Sequence, residues 1–530
     1  MATFYIDPTR TTGPWSGTFQ APFSTWSQVT WTAGNFYLQK AGTVFTGSSA
    51  ATAATGAYGR LITLGSYDGA TGLQVTSGSN RAAITNSSVV NITGVGSGRA
   101  WIVYDSLEIY GSGPSSGSSE NAIGLQTAGL GEIIIRNCKV HDVPGVGIYV
   151  QPGLNNYPTY YIQGNEVYST GSHGIQWTGS GSSWVISSNV VHDTGIKAGS
   201  FGITCSPHRY TGNASTWVQE AGDVYKCVLA TSQSAENPLL YIESVYFSGG
   251  NAWNLAETTG AANVSSPAVG FYGFDAASAT LYVNIAADPG TTTPSISYGR
   301  MRGWSITANH VYDTNNFATE GNAIQVDDNG AYGTLNRNTV NGSVQHGICY
   351  NKGHDLIAEA NFVAVTIGNG LRAGNGRDNA FYNNTVSSAA NSSCIFIDAS
   401  NAGGKNQVIN NICLGGSYGV ELRVPGGTTF AHHNCIFGYS VNSTTGAVEA
   451  STNQLIDPNL SVQYAPLTQL IRLGGLDLGG GADLYGNAIN TPPTMGAVQF
   501  PYPPNTLATP QLITDQTIGL GRTWATARRK

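Results

Sequence analysis

Ionisable side chains are scarce in this chain. Only 10% of its 530 residues are Asp, Glu, Lys or Arg, and 9 are His. Places where they gather are therefore informative. One gathering comprises Asp327, Asp328, His346, Lys352 and Arg372. Adjacent carboxyls such as Asp327 and Asp328 repel, so one holds its proton to higher pH than the other. That is the division of labour a glycosidic cleavage needs, with one carboxylic acid and one base or nucleophile. His346 and Arg372 could orient the pair or hold an acidic sugar. A second chemistry, β-elimination, needs a base for the proton α to a uronate carboxyl and a cation to neutralise that carboxylate. Lys352, Arg372, Arg377 and His354 are its candidates, and Glu421 is a further carboxylate. The acidic turn Asp327-Asp328-Asn329-Gly330 is the one place for Ca2+. No other cofactor is expected.

Such residues act together only if the chain brings distant segments side by side, and an internal repeat does so. An Asn stands one or two positions before a β-branched or apolar residue at Asn137, Asn165, Asn189, Asn309, Asn338, Asn361, Asn384, Asn411 and Asn434. Successive spacings are 28, 24, 120, 29, 23, 23, 27 and 23 residues. About ten residues after each Asn comes a small-residue turn and a short alternating strand, as in Gly147-Ile148-Tyr149-Val150, Gly347-Ile348-Cys349-Tyr350 and Gly370-Leu371-Arg372-Ala373. Two or three strands per unit, stacked at about 4.8 Å, make coils of a parallel β-solenoid that bury their apolar side against one another. The recurring Asn is expected at a corner, bonding along a ladder.

In the alternating strands the first apolar residue points in and the next points out. One outward column then reads Tyr149, Gln176, Thr204, Gln325, Cys349, Arg372, Phe396 and Glu421. The column two residues on contains Gln151, Thr178, Ser206, Asp327, Asn351, Gly374, Asp398 and Arg423. Early coils are neutral, and the face becomes charged from Gln325 onward. Substrate contacts are expected from Tyr149, Gln176, Gln325, Asn351, Asn375, Phe396, Asp398, Glu421 and Arg423, with Asp398 and Arg423 paired as ions. Tyr149, Trp177, Tyr210, Trp217, Phe317 and Phe396 could stack on sugar rings, although alternation turns Trp177 inward.

Composition agrees with an all-β chain: Gly numbers 69, and strong helix formers are few. The net charge is −7, without a long basic run. That argues against nucleic acid, which needs clustered Lys and Arg. No apolar run approaches the roughly 20 residues of a membrane span, so no membrane partner is expected. The N-terminus Met1-Ala2-Thr3-Phe4 does not read as a signal peptide. Seven Cys lie mostly in apolar runs and read as buried thiols, with Cys205 and Cys227 a possible pair.

The Asn ladder and short outer strands resemble the pectate-lyase-like right-handed parallel β-helix superfamily, over roughly residues 95–450. The resemblance implies a single-stranded right-handed parallel β-helix that acts on or binds polysaccharide. Asp327-Asp328, Gln345-His346-Gly347 and Leu371-Arg372-Ala373 are similar to the Asp pair, Gly-His-Gly and Arg-rich strand of polygalacturonases. Here the Asp pair follows its strand, and His-Gly-Ile also occurs at His173-Gly174-Ile175, as a corner of the repeat would. Within the superfamily the expected role is a phage tailspike-like depolymerase of bacterial or acidic polysaccharide. It would be a homotrimer, located in the virion tail with other tail proteins, or extracellular. The alternatives are a non-catalytic receptor-binding virion protein and a secreted bacterial lyase.

The expected organisation is an N-terminal cap and first coils over 1–95, coils over 96–207 and an inserted β-subdomain over 208–300. Coils and a closing strand at Met495-Gly496-Ala497-Val498-Gln499-Phe500 fill 301–500, and an extension occupies 501–530. The insertion leaves after the strand carrying Thr204 and Ser206, which would make it a wall beside the outer face.

Overall fold

The computed structural model describes residues 1–47, 55–76, 78, 80–85, 101–115, 120–127, 131–152, 159–179, 184–196, 199–206, 208–209, 217–229, 242–247, 253–257, 271–275, 278, 280–285, 289 and 295–298, and, beyond these, 303–314, 321–327, 332–343, 345–351, 353–365, 367–374, 376, 378–389, 391–398, 405–423, 428–440, 442–445, 452–460, 466, 475–476, 478, 482–488 and 493–499.

Short strands wind into three sheets. The first runs from Thr3–Ile6 to Thr428–His432, the second from Val44–Thr46 to Cys435–Phe437, and the third from Ile123–Thr127 to Asn442–Thr445. One coil shows the plan. Thr159–Gln163 lies in the first sheet, Glu166–Thr170 in the second and Ile175–Thr178 in the third, each paired in parallel with the coils before and after. Alternation accounts for the inside. Ile133, Ile135, Val140, Ile148 and Val150 of one coil are buried and stack on Tyr160, Ile162, Val167, Ile175 and Trp177 of the next. Where the interior is wide, Trp177, Trp184 and Trp304 fill it as a stack, with centroids 4.7 and 5.0 Å apart. Trp177 is thus a core residue, as its alternation predicts.

The corner between the first and second sheets holds the ladder. Asn165, Asn189, Asn309, Asn338, Asn361, Asn384, Asn411 and Asn434 are buried. In each, Nδ2 donates to the Oδ1 of the next Asn in the column at 2.9–3.1 Å. Each Nδ2 also donates to a carbonyl of the preceding coil, such as Leu335 O from Asn361. The residue just before the ladder position adopts a left-handed conformation, with φ between 54° and 62° from Gly164 to His433. Asn tolerates that conformation, which explains Asn383 and Asn410. It also corrects the first unit of the repeat. Asn137 is the left-handed residue (φ 55°), and Cys138 occupies the ladder slot, its backbone N–H donating to Asn165 Oδ1. An Asn at either of two successive positions looks alike in sequence.

The second corner explains the recurring Gly. A Cβ on Gly347 would lie 2.2 Å from Val363 Cγ1 and 2.6 Å from Gly370 O, so the coils approach too closely there for a side chain.

The insertion does not interrupt the winding. Asn189 Nδ2 bonds Asn309 Oδ1 across 120 residues, and Val185–Ser187 pairs with Ser305–Thr307. The inserted segment forms its own 8-stranded sheet. Tyr225, Cys227, Leu229, Val245, Tyr272, Leu281, Val283 and Ile285 make its core, with Trp217 packed against it. Cys205 belongs to the solenoid core and Cys227 to this one. Both are free thiols, so the considered pair does not form. At the other end, Met495–Val498 is a bend rather than the expected closing strand. It covers the core by burial of Met495 against Ile412 and Cys435, with Gly496 N–H donating to Asn410 O and Ala497 N–H to Thr385 Oγ1.

Candidate functional site

The outer face of the third sheet carries the candidate residues. Its pairings place Tyr149 beside Gln176, Gln176 beside Thr204 and Thr204 beside Gln325. Gln325, Cys349, Arg372, Phe396 and Glu421 then follow in one register, coil after coil. In the neighbouring column Asn351 pairs with Gly374 and Gly374 with Asp398. The outward direction does not mean exposure. Thr204, Gln325, Cys349, Phe396 and Glu421 are all buried. Burial pushes the Cys349 thiol up to about 11, so it stays protonated. Tyr149 and Gln176 are half-buried, and each bonds along its own strand, to Gln151 and Thr178.

His346 begins its strand one coil before Arg372 and is buried. Its Nδ1 accepts the backbone N–H of Asn369 at 3.0 Å, and His173 accepts the Phe201 N–H in the same way at the equivalent corner. Burial, with Arg372 adding to it, lowers the imidazole pKa to about 4, so the ring is neutral near pH 7. Its Nε2 lies 3.1 Å from Arg372 Nη1. Among the described residues Arg372 Nε is buried without a hydrogen-bond partner. The side chain lies over Gly374, since a Cβ there would be 3.6 Å from both Nε and Nη2.

Further along, Phe396 has a guanidinium on each side. The Arg372 carbon is 5.9 Å from its centroid and the Arg423 carbon 5.1 Å. The Phe396 ring is buried, with a cation at each flank. Arg423 pairs with Glu421 at 2.7 Å through Nε, in place of the expected Asp398–Arg423 ion pair. Ser393 Oγ donates to the other Glu421 oxygen. Among the described residues Asp398 has no such pair, and burial raises its carboxyl pKa despite the opposing charges of Arg372 and Arg423.

Asp327 sits at the other end of this face, where its Oδ1 accepts Asn351 Nδ2 at 2.7 Å. Asp328, Lys352, Asn375 and Arg377 lie outside the described residues, as do Asn329, Gly330, Tyr210 and Phe317. His354 is fully buried against Asp355, away from the outer column, which removes it from the lyase set. The carboxyl that sequence reasoning undervalued is Asp398. Its signal was position alone, between Gly374 on the coil before and Arg423 on the coil after.

Residues 71–237 match a family model described as the right handed beta helix region. The chain is a right-handed parallel β-helix. No curated protein matches it significantly. Similar solved structures include XylC in complex with xylose, at 10% identity over 87% of each chain with a TM-score of 0.48. The periplasmic alginate epimerase AlgG is 11% identical over 80% of this chain and 76% of its own, with a TM-score of 0.41. The A-module of the Azotobacter vinelandii mannuronan C-5 epimerase AlgE6 is 10% identical over 80% and 91%, with a TM-score of 0.43. Likeness at this level carries no inference about substrate or chemistry. No helix among the described residues of the β-helix is long and apolar enough to cross a membrane.

Proposed function

We propose that this β-helix binds an acidic polysaccharide along the outer face of its third sheet and cleaves it there by hydrolysis. The observation that carries the reading is the cluster around Phe396, where two guanidinium groups flank one ring and Asp398 and Glu421 stand beside them.

Distance decides which carboxyls can work together. Asp327 and Asp398 are three coil steps apart, about 14 Å at the backbone. Glycosidases place their two carboxyls no more than about 9.5 Å apart, so these two do not serve one bond. Asp398 and Glu421 are diagonal neighbours on adjacent coils, about 7–8 Å apart at the backbone by general sheet geometry. A backbone spacing of that order leaves their carboxyls able to span the about 6.5–9.5 Å of an inverting mechanism. Asp398, with its raised pKa, is the proton donor to the leaving oxygen, and Glu421, held by Ser393 and Arg423, is the base for water. The Asp327–Asp328 pair remains the alternative centre, with Asn351 holding Asp327. β-Elimination is less well supported, because His354, its histidine candidate, is buried against Asp355.

The test is incubation with acidic and neutral bacterial polysaccharides, following reducing ends together with unsaturated-uronate absorbance. Reducing ends without absorbance are expected. Asp398→Asn and Glu421→Gln should each lower the rate by at least about a hundredfold, and Asp327→Asn far less. Loss in Asp327→Asn alone would move the chemistry to the other end of the face. Absorbance would overturn hydrolysis.

A second reading, a non-catalytic receptor-binding protein, is favoured by the burial of most of the outward column. Binding without cleavage of any polymer in the panel would establish it. The wider role we assign is that of a phage tailspike-like homotrimer on a bacterial surface polysaccharide, by resemblance of the repeat. A monomer in sedimentation would count against it.

A further inference from the structure

We infer that Arg372 and Arg423 select a polysaccharide bearing its acidic groups on alternate sugars, with the chain lying along the solenoid axis and one sugar on each coil. This rests on the polysaccharide reading above and adds the charge pattern of the polymer.

The coils rise by about 4.8 Å, close to the advance of one hexose in an extended chain. A polymer laid along the axis therefore keeps step with the coils. Arg372 precedes Phe396 by one coil and Arg423 follows it by one, with Arg423 N–H donating to Ile397 O at 2.9 Å to fix its place. Their guanidinium carbons, at 5.9 and 5.1 Å from the Phe396 centroid, are separated by no more than about 11 Å. Their backbones stand two coil rises apart, hence beside a first and a third sugar.

The cations also have donors to give. Among the described residues Arg372 Nε is buried without a hydrogen-bond partner, and a carboxylate there would accept from it. Arg423 uses only Nε on Glu421 among the described residues. The middle sugar meets a different surface. It lies over the Phe396 coil, where an acidic group would meet the Asp398 carboxyl, whereas Glu421 shares the coil of Arg423 and takes its Nε. The site is therefore cation, acid, cation along the axis, which complements acid, neutral, acid in the ligand.

The test uses defined oligosaccharides and titration calorimetry on the full chain in the Asp398→Asn background, where the proposed cleavage is blocked. The probes are a uronate–neutral–uronate trisaccharide from hyaluronan, the neutral–uronate disaccharide from the same polymer, and trigalacturonate. The alternating trisaccharide is expected to bind at least about tenfold more tightly than the disaccharide, the value of one charge-assisted contact. Arg372→Ala and Arg423→Ala should each remove about that factor for the trisaccharide. For the disaccharide only one of them should matter. Arg423→Lys keeps the charge without the fork and guards against misfolding, and it should lose less than Arg423→Ala. Trigalacturonate has acid on the middle sugar as well. If the native chain binds it as tightly as the alternating trisaccharide, with asparagine replaced by the original Asp398, the alternation is overturned while the acidic-polysaccharide reading stands. If no acidic sugar or polymer binds, the underlying reading itself fails.

Discussion

At the scale of single residues, His346 shows how environment sets a role that residue type leaves open. Its pKa in the folded chain, about 4, lies below the ordinary value of 6.5, because burial disfavours the charged ring and Arg372 repels it. Between these two values the unfolded chain binds more protons than the folded one. Stability is therefore fully present above about pH 6.5 and falls as pH drops toward 4. Denaturant melts of the native chain between pH 7 and 4.5 should show this decline, and His346→Gln should flatten it in that window. An unchanged pH slope in the variant would show that His346 does not carry it. Sequence alone offered the His-Gly corner and the nearby Arg372. It did not show the backbone N–H of Asn369 that donates to His346 Nδ1, because that bond comes from a neighbouring coil.

At the scale of elements, the Asn corner is the unit of stability. Asn361 donates to Leu335 O and Asn384 Oδ1, and accepts from the backbone N–H and Nδ2 of Asn338. Replacing it by Ala leaves buried groups on both neighbouring coils without partners, at about 1–3 kcal/mol each. Asn361→Ala should destabilise the chain by about 3 kcal/mol or more in a denaturant melt. Asn361→Asp should be worse, since a carboxylate cannot donate to either acceptor. A change within error for both would mean that the ladder follows from strand stacking and contributes little itself. The ladder was legible in the sequence because a buried amide has no substitute that both donates and accepts in that geometry. Its register at Cys138 was not, because the left-handed slot beside it also favours Asn.

At the scale of the whole molecule, the insertion is separable from the helix it interrupts. Its first and last strands pair antiparallel, Arg209 opposite Ser297, so the two ends leave the solenoid side by side. Cutting out residues 210–296 and joining the ends through an Asn-Gly turn suits such a pair. The shortened chain should keep its β circular dichroism and a cooperative melt, because the pairing of Val185–Ser187 with Ser305–Thr307 and the Asn189–Asn309 bond do not involve the insertion. Loss of cooperative unfolding would mean that the two cores depend on each other. Activity of the same variant shows whether the insertion serves the outer face as a wall.

The amino-acid sequence by itself determined the winding of this protein. Every coil repeats the same local demands, an amide at the corner, a small residue where coils approach and alternation along the strand, so the pattern recurs often enough to be read. It also determined which residues share the outer column, since register follows from the repeat. Only the tertiary structure decided what those residues do. Whether Phe396 has a guanidinium group at each flank, whether Arg423 pairs with Asp398 or Glu421, and whether Asp398 keeps its proton all depend on side-chain packing between coils. Burial and charge act across space over a few ångströms, and no spacing along the chain encodes them.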